Sequence, residues 1–112
     1  MSKFIELNLE YGNPPVHEAL NTLKYYIPFY KKQKIECILI IHGYGSSGKG
    51  GKIRNKVRQY LDLELKDGLV KQVVYGERFD LFNAEARDLK NKYPELNYLI
   101  KQNNPGVTVI RV

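Results

Sequence analysis

Hydrophobic and polar positions alternate with a period of two over residues 4–9. Ile5, Leu7 and Leu9 fall on one side and Phe4, Glu6 and Asn8 on the other, which predicts a first strand. Gly12-Asn13-Pro14-Pro15 interrupts the extended run. Apolar residues then recur at Val16, Ala19, Leu20, Leu23, Ile27 and Tyr30, the spacing of one helical face. Pro28 lacks a backbone donor, but the stripe continues through it, so a kinked helix is expected rather than an ended one. Residues 35–41 are almost continuously apolar and rich in Ile, as in a central strand covered on more than one side. After the glycine-rich run 43–51, Ile53, Val57, Tyr60, Leu61 and Leu65 return to helical spacing, closed by Asp67-Gly68. Leu69 to Tyr75 reads as a third strand, Asn83 to Lys92 as a helix, Pro94 as the start of a short helical turn, and Val107 to Val112 as a last strand. The order is β-α-β-α-β-α-β, an α/β class. Consecutive strands joined by helices predict parallel pairing, with the helices packed on the sheet.

At 112 residues the chain has material for one core, so a single domain over 1–112 is expected and a large multi-domain enzyme is excluded. Its lone cysteine, Cys37, lies within the apolar run and is expected to pack as a small buried hydrophobe, in keeping with a reducing cytoplasm. The longest apolar stretch, Ile38 to Ile41, falls far short of the roughly 20 residues that span a bilayer, and no apolar segment follows Lys3 as in a signal peptide. A soluble protein with no membrane partner is the expectation. Eighteen Lys and Arg against twelve Asp and Glu leave a formal charge of +6, which favours anionic partners without selecting a fold.

The placement of that charge is more informative. Gly43-Tyr44-Gly45-Ser46-Ser47-Gly48-Lys49-Gly50-Gly51 packs five glycines into nine residues between a buried strand and a helix. A loop that only connects has no need of so much backbone freedom, and such a run presents amides instead. Together with the free N–H groups and dipole of the following helix, these amides suit an anion such as phosphate. Lys49, Lys52, Arg54, Lys56 and Arg58 share the junction, and no acid lies between positions 42 and 61. Two related patterns fail here. The letters of a dinucleotide fingerprint are present, but Asp62, at the spacing of its acid, falls inside the second helix. A P-loop would need Ser or Thr where Gly50 stands. Cations at 52, 54, 56 and 58 spread over more than one helix side, so part of the set belongs to an ordinary solvated face. If about four of them met phosphates, binding would weaken roughly 100-fold between about 50 and 200 mM salt. Tyr11 and Tyr44, in the turns after the first two strands, are placed to stack on unpaired bases.

The run Ile40-Ile41-His42-Gly43-Tyr44-Gly45-Ser46-Ser47-Gly48-Lys49-Gly50-Gly51-Lys52-Ile53-Arg54 closely resembles the second motif of the small MutS-related (Smr) domain, an apolar strand, His-Gly-x-Gly and Leu-Arg opening a helix. Leu7-Asn8-Leu9-Glu10 stands where that family has Leu-Asp-Leu-His-Gly, and Gly106-Val107-Thr108-Val109-Ile110 is similar to its closing strand. The resemblance implies a two-layer α/β sandwich with a mixed sheet of about four strands. It also implies DNA or RNA binding, sometimes with nicking endonuclease activity.

The first-motif histidine is missing, with Glu10 and Tyr11 in its neighbourhood. If the first two strands are parallel neighbours, Glu10 and His42 both emerge at their carboxyl ends, where sites collect on open α/β sheets. His42 would then serve as acid or base on a phosphodiester, with Glu10 orienting it or replacing the missing imidazole and Lys49, Lys52 and Arg54 stabilising phosphate charge. Alternatively His42 hydrogen-bonds a loop carbonyl and shapes the turn. His17 is expected to face solvent. Two distant histidines and one buried cysteine supply no tetrahedral metal site, although a nuclease reading would admit Mg²⁺ at Glu10. Glu77, Arg78, Asp80, Glu85, Arg87 and Asp88 read as an exposed helix face of mixed charge, with Asp80 a further site candidate. Three functions stay open: a nucleic-acid-binding module, a nicking endonuclease using His42 with Glu10, and a small-molecule phosphate or nucleotide binder.

Overall fold

The structure, a computed structural model, describes residues 3–43, 50–80 and 82–112. Its elements run β1 (Phe4–Asn8), α1 (Val16–Lys32), β2 (Cys37–Ile41), α2 (Gly50–Lys66), β3 (Gln72–Tyr75), a 3₁₀ turn (Gly76–Arg78), α3 (Ala84–Lys92), α4 (Leu96–Leu99) and β4 (Val107–Arg111). The class is α/β, with a four-stranded mixed sheet in the order β1-β2-β4-β3.

β1 and β2 are parallel, with Asn8 opposite Ile41, as the helical crossover α1 requires. The expectation of parallel pairing fails for the second half of the sheet. β4 inserts between β2 and β3 and runs antiparallel to both. The connection from β3 to β4, residues 76–106, is long enough to return the chain along the sheet in the opposite sense. β1, β2 and β3 therefore point the same way, and their carboxyl ends share one edge with the start of β4.

Strand alternation divides the core. Leu7, Leu9, Ile38, Ile40, Ile110 and Val112 face α1 and α2, meeting Leu23, Ile27, Ile53, Val57 and Leu61. Phe4, Cys37, Leu39, Val74, Val107 and Val109 face the other way, against Phe79, Ala86, Leu89, Tyr93, Leu96 and Ile100. The long helices form one layer on the sheet, and the short helical segment covers its second face. Each fully buried aliphatic side chain adds about 1.5–3 kcal/mol.

Local chemistry sets the boundaries. α1 runs through Pro28 to Lys32. At the end of α2 the Gly68 N–H bonds Leu65 O, and the Leu69 N–H bonds Glu64 O, with Gly68 at φ +80°. This is a Schellman cap, and it shortens β3: Leu69 and Val70 belong to the cap instead of the strand. Asn83 caps α3, its side-chain oxygen accepting the Ala86 N–H at 3.0 Å. Burial pushes the Cys37 thiol up to about 12, as for an inert core cysteine. Among the described residues no helix is long and apolar enough to cross a membrane.

Candidate nucleic-acid interface

Two turns and one helix start meet at the carboxyl edge of β1 and β2. In the first turn the Asn8 side-chain oxygen accepts the N–H groups of Glu10 (2.9 Å) and Tyr11 (3.1 Å), and Asn13 N–H returns to Glu10 O at 2.8 Å. This tie holds Glu10 exposed and leaves Tyr11 87% exposed. In the second turn Gly43 adopts φ +77°, and a Cβ there would strike the Glu10 carboxylate. Gly43 is thus needed both for its backbone conformation and for the close approach of Glu10. Its N–H is already used, donating to Gly106 O at 3.0 Å beside a matching bond from His42 N–H. The expectation that Gly43 offers its amide to phosphate is corrected accordingly. It shapes the turn and is tied to the start of β4.

His42 follows β2 on the face covered by α2 and is fully buried. Its Nδ1 lies 2.8 Å from Gly43 O and its Nε2 lies 2.8 Å from Thr108 Oγ1. A carbonyl can only accept, so Nδ1 carries the proton and Nε2 accepts from the Thr108 hydroxyl. Thr108 in turn accepts from Arg58 Nε at 3.0 Å. Arg58, 8% exposed, clasps Glu77 through both terminal nitrogens (2.8 and 2.6 Å) and donates to Val107 O at 3.2 Å. Its guanidinium carbon stands 4.0 Å from the Tyr75 ring centroid, and the Tyr75 hydroxyl donates to Asp62 at 2.6 Å. The chain of bonds links β2, β4, α2 and the segment after β3.

Electrostatics fit a neutral imidazole. Burial, helped by the positive charges of Arg58 and Arg54 and opposed by the bond to Gly43 O, holds His42 at about 4. Burial works to raise the Glu77 carboxyl, but the Arg58 hydrogen bonds and charge outweigh it and hold that group below its ordinary value. Both ring nitrogens of His42 are occupied, neither by Glu10, whose carboxylate lies against Gly43.

The expected cations divide in two. Lys52 and Lys56 are exposed and Arg54 is half-buried, its charge felt by both His42 and Glu77. Arg58, read in the sequence as one of the helix cations divided between the junction and a solvated face, is an internal brace, because Glu77 neutralises its guanidinium and Thr108 and Val107 O accept from it as well. Glu77 consequently leaves the set read as a solvated helix face. Gly50 and Gly51 open α2, whose first turn holds no acid. Tyr44, Gly45, Ser46, Ser47, Gly48 and Lys49 lie outside the described residues. Lys52 and Ile53 border a cavity of about 270 Å³ shared with Asn13, Pro14, Pro15 and Val16. The turn after β1 and the start of α2 therefore form one surface. His17 is exposed as expected. No group of three or more metal-ligating side chains occurs among the described residues.

Sequence reasoning missed the joint role of Thr108, Arg58 and Glu77 beneath His42. Thr108 carried a signal. It shares the period-two face of Ile110 and Val112, and a hydroxyl on a buried face needs a partner.

No curated protein and no solved structure matches the chain. The family model described as Smr domain matches residues 14–78, from the turn before α1 through α2 to the 3₁₀ turn that holds Glu77. With the His42-Gly43 turn, the mixed sheet and more than half of the sequence in agreement, the chain belongs to the Smr domain family.

Proposed function

We propose that this Smr domain binds a strand of RNA or structured DNA across the carboxyl edge of β1 and β2, gripping backbone phosphate without reading base sequence. The observation that carries this reading is the separation of the cations. Arg58 is consumed internally, while Lys52 and Arg54 stand on the acid-free first turns of α2, and Lys52 borders the turn after β1 that carries the exposed Tyr11. A helix start of this kind favours a polyanion through its dipole, its free N–H groups and its side chains together. Residues 44–51 would add loop amides and Lys49, and Tyr11 would stack on an unpaired base.

The buried neutral His42 supports binding over cleavage. With its nitrogens bonded to Gly43 and Thr108, it serves as the post on which the turn is built. Incubating the protein with labelled RNA and with supercoiled plasmid, with and without Mg²⁺, tests this. Retention of both nucleic acids without strand scission is the expected result. Scission by the wild type that disappears in His42→Ala would replace the module by a phosphodiesterase using His42 with Glu10.

A further inference from the structure

Residue 78 is where the family match ends, and the chain beyond it builds a second cationic surface on the same edge of the sheet. A cleft of about 460 Å³ is floored by Phe79 and lined by Asp80, Arg87, Lys90, Lys101 and Asn103. Three cations face one carboxylate. α3 sorts its charges: Arg87 and Lys90, three residues apart, share the cleft side. Glu85, Asp88 and Lys92 line a different cavity with Lys71 and Arg111. Ion pairs among the described residues join Lys3 to Glu36 and Arg58 to Glu77, so Arg87, Lys90 and Lys101 remain without one. Asp80 is partly committed, since its Oδ1 accepts the Phe82 N–H at 2.9 Å. The same turn carries Phe82, which is 92% exposed. Cations with no ion pair, gathered in one cleft, attract phosphate, and an exposed phenyl ring two residues from the cleft's Asp80 offers a face for base stacking.

Position connects this cleft to the first site. Asn104 N–H bonds Gly76 O at 2.9 Å, and Gly106 O receives the His42 and Gly43 amides, so the cleft walls and the glycine turn are stitched to the same strand ends. α2 lies on one face of the sheet and the cleft on the other, with the shared edge between them.

We infer that the cleft of Arg87, Lys90 and Lys101 is a second binding station for the same nucleic-acid strand, which crosses the sheet edge from Lys52 and Arg54. This inference rests on the proposed function and extends it. A strand that passes across the full 27 Å of the molecule's smallest extent spans about eight nucleotides at about 3.4 Å each.

Length dependence tests it. Affinities of single-stranded RNA and DNA of about 4 and about 16 nucleotides are measured by anisotropy against wild type, Arg87→Ala with Lys101→Ala, and Lys52→Ala with Arg54→Ala. The expected result is that the Arg87 and Lys101 pair binds the longer strands about ten-fold more weakly at about 0.15 M salt, with a salt slope shallower by about 1.4. Binding of the shorter strands stays unchanged, and Arg87→Lys with Lys101→Arg keeps wild-type affinity. Unchanged affinity for the longer strands overturns the inference, while a loss caused by the Lys52 and Arg54 pair would leave the proposed function standing. Equal losses at both lengths also overturn it, because no strand would then run between two stations. Polyglutamate bound as tightly as the longer strands overturns it in favour of an acidic protein partner.

Discussion

Acidification should loosen this fold in a window that His42 sets. The imidazole is held at about 4 in the folded chain, against an ordinary 6.5. A group whose folded value is depressed favours the folded state above its unfolded value, and that contribution is lost as pH falls towards the folded value. Between pH 6.5 and 4 the unfolded chain binds a proton that the folded chain refuses. With these two values the linkage removes about 1 kcal/mol of stability by pH 5.5 and about 2 kcal/mol by pH 4.5, relative to neutral pH. Glu36 and Glu77, whose values are lowered from 4.5, contribute stability that disappears at still lower pH, so the histidine window stands apart from theirs. Urea unfolding at intervals from pH 7 to pH 4.5 measures the loss, with His42→Asn as the control that cannot titrate there. Wild type should lose stability through this window and His42→Asn should show a flatter profile. Equal profiles, or a ring-nitrogen resonance reporting a charged His42 at pH 6, would refute the reasoning.

Further consequences concern the same turn. Thr108→Val keeps the side-chain shape but strips the hydroxyl from both His42 Nε2 and Arg58 Nε, leaving two buried polar atoms unpaired. Urea unfolding should show a loss of about 2–4 kcal/mol, where a surface threonine would cost almost nothing. Gly43→Ala forces a side chain into φ +77° and against the Glu10 carboxylate, and should destabilise by at least about 1–2 kcal/mol. Calorimetry of Gly43→Ala with Glu10→Gly should recover the part of that loss due to the collision and leave the backbone part.

Much of this architecture is written locally. The alternation of residues 4–9 and the stripe from Val16 to Tyr30 needed only nearest neighbours, and both elements stand where those patterns place them. His42-Gly43 was likewise readable as a turn, because only a glycine accommodates that conformation beside Glu10. Strand order was not legible. Helical connections suggest parallel neighbours, yet β4 enters between β2 and β3, a choice made by long-range packing of Thr108, Val109 and Ile110 against β2. Arg58 was misplaced for a related reason. In the sequence it belongs to a run of helix cations, while the residues that bind it lie 19 and 50 positions away. The role of His42 turned on those same distant partners.

The central claim is that Lys52 and Arg54 hold nucleic-acid backbone at the carboxyl edge of the sheet. Fluorescence anisotropy of a labelled single strand, titrated with wild type and with Lys52→Ala plus Arg54→Ala between about 50 and 200 mM salt, tests it most directly. The account predicts about ten-fold weaker binding by the double variant near physiological salt and a logarithmic salt slope shallower by about 1.4. Two proteins with the same affinity and the same slope would contradict it.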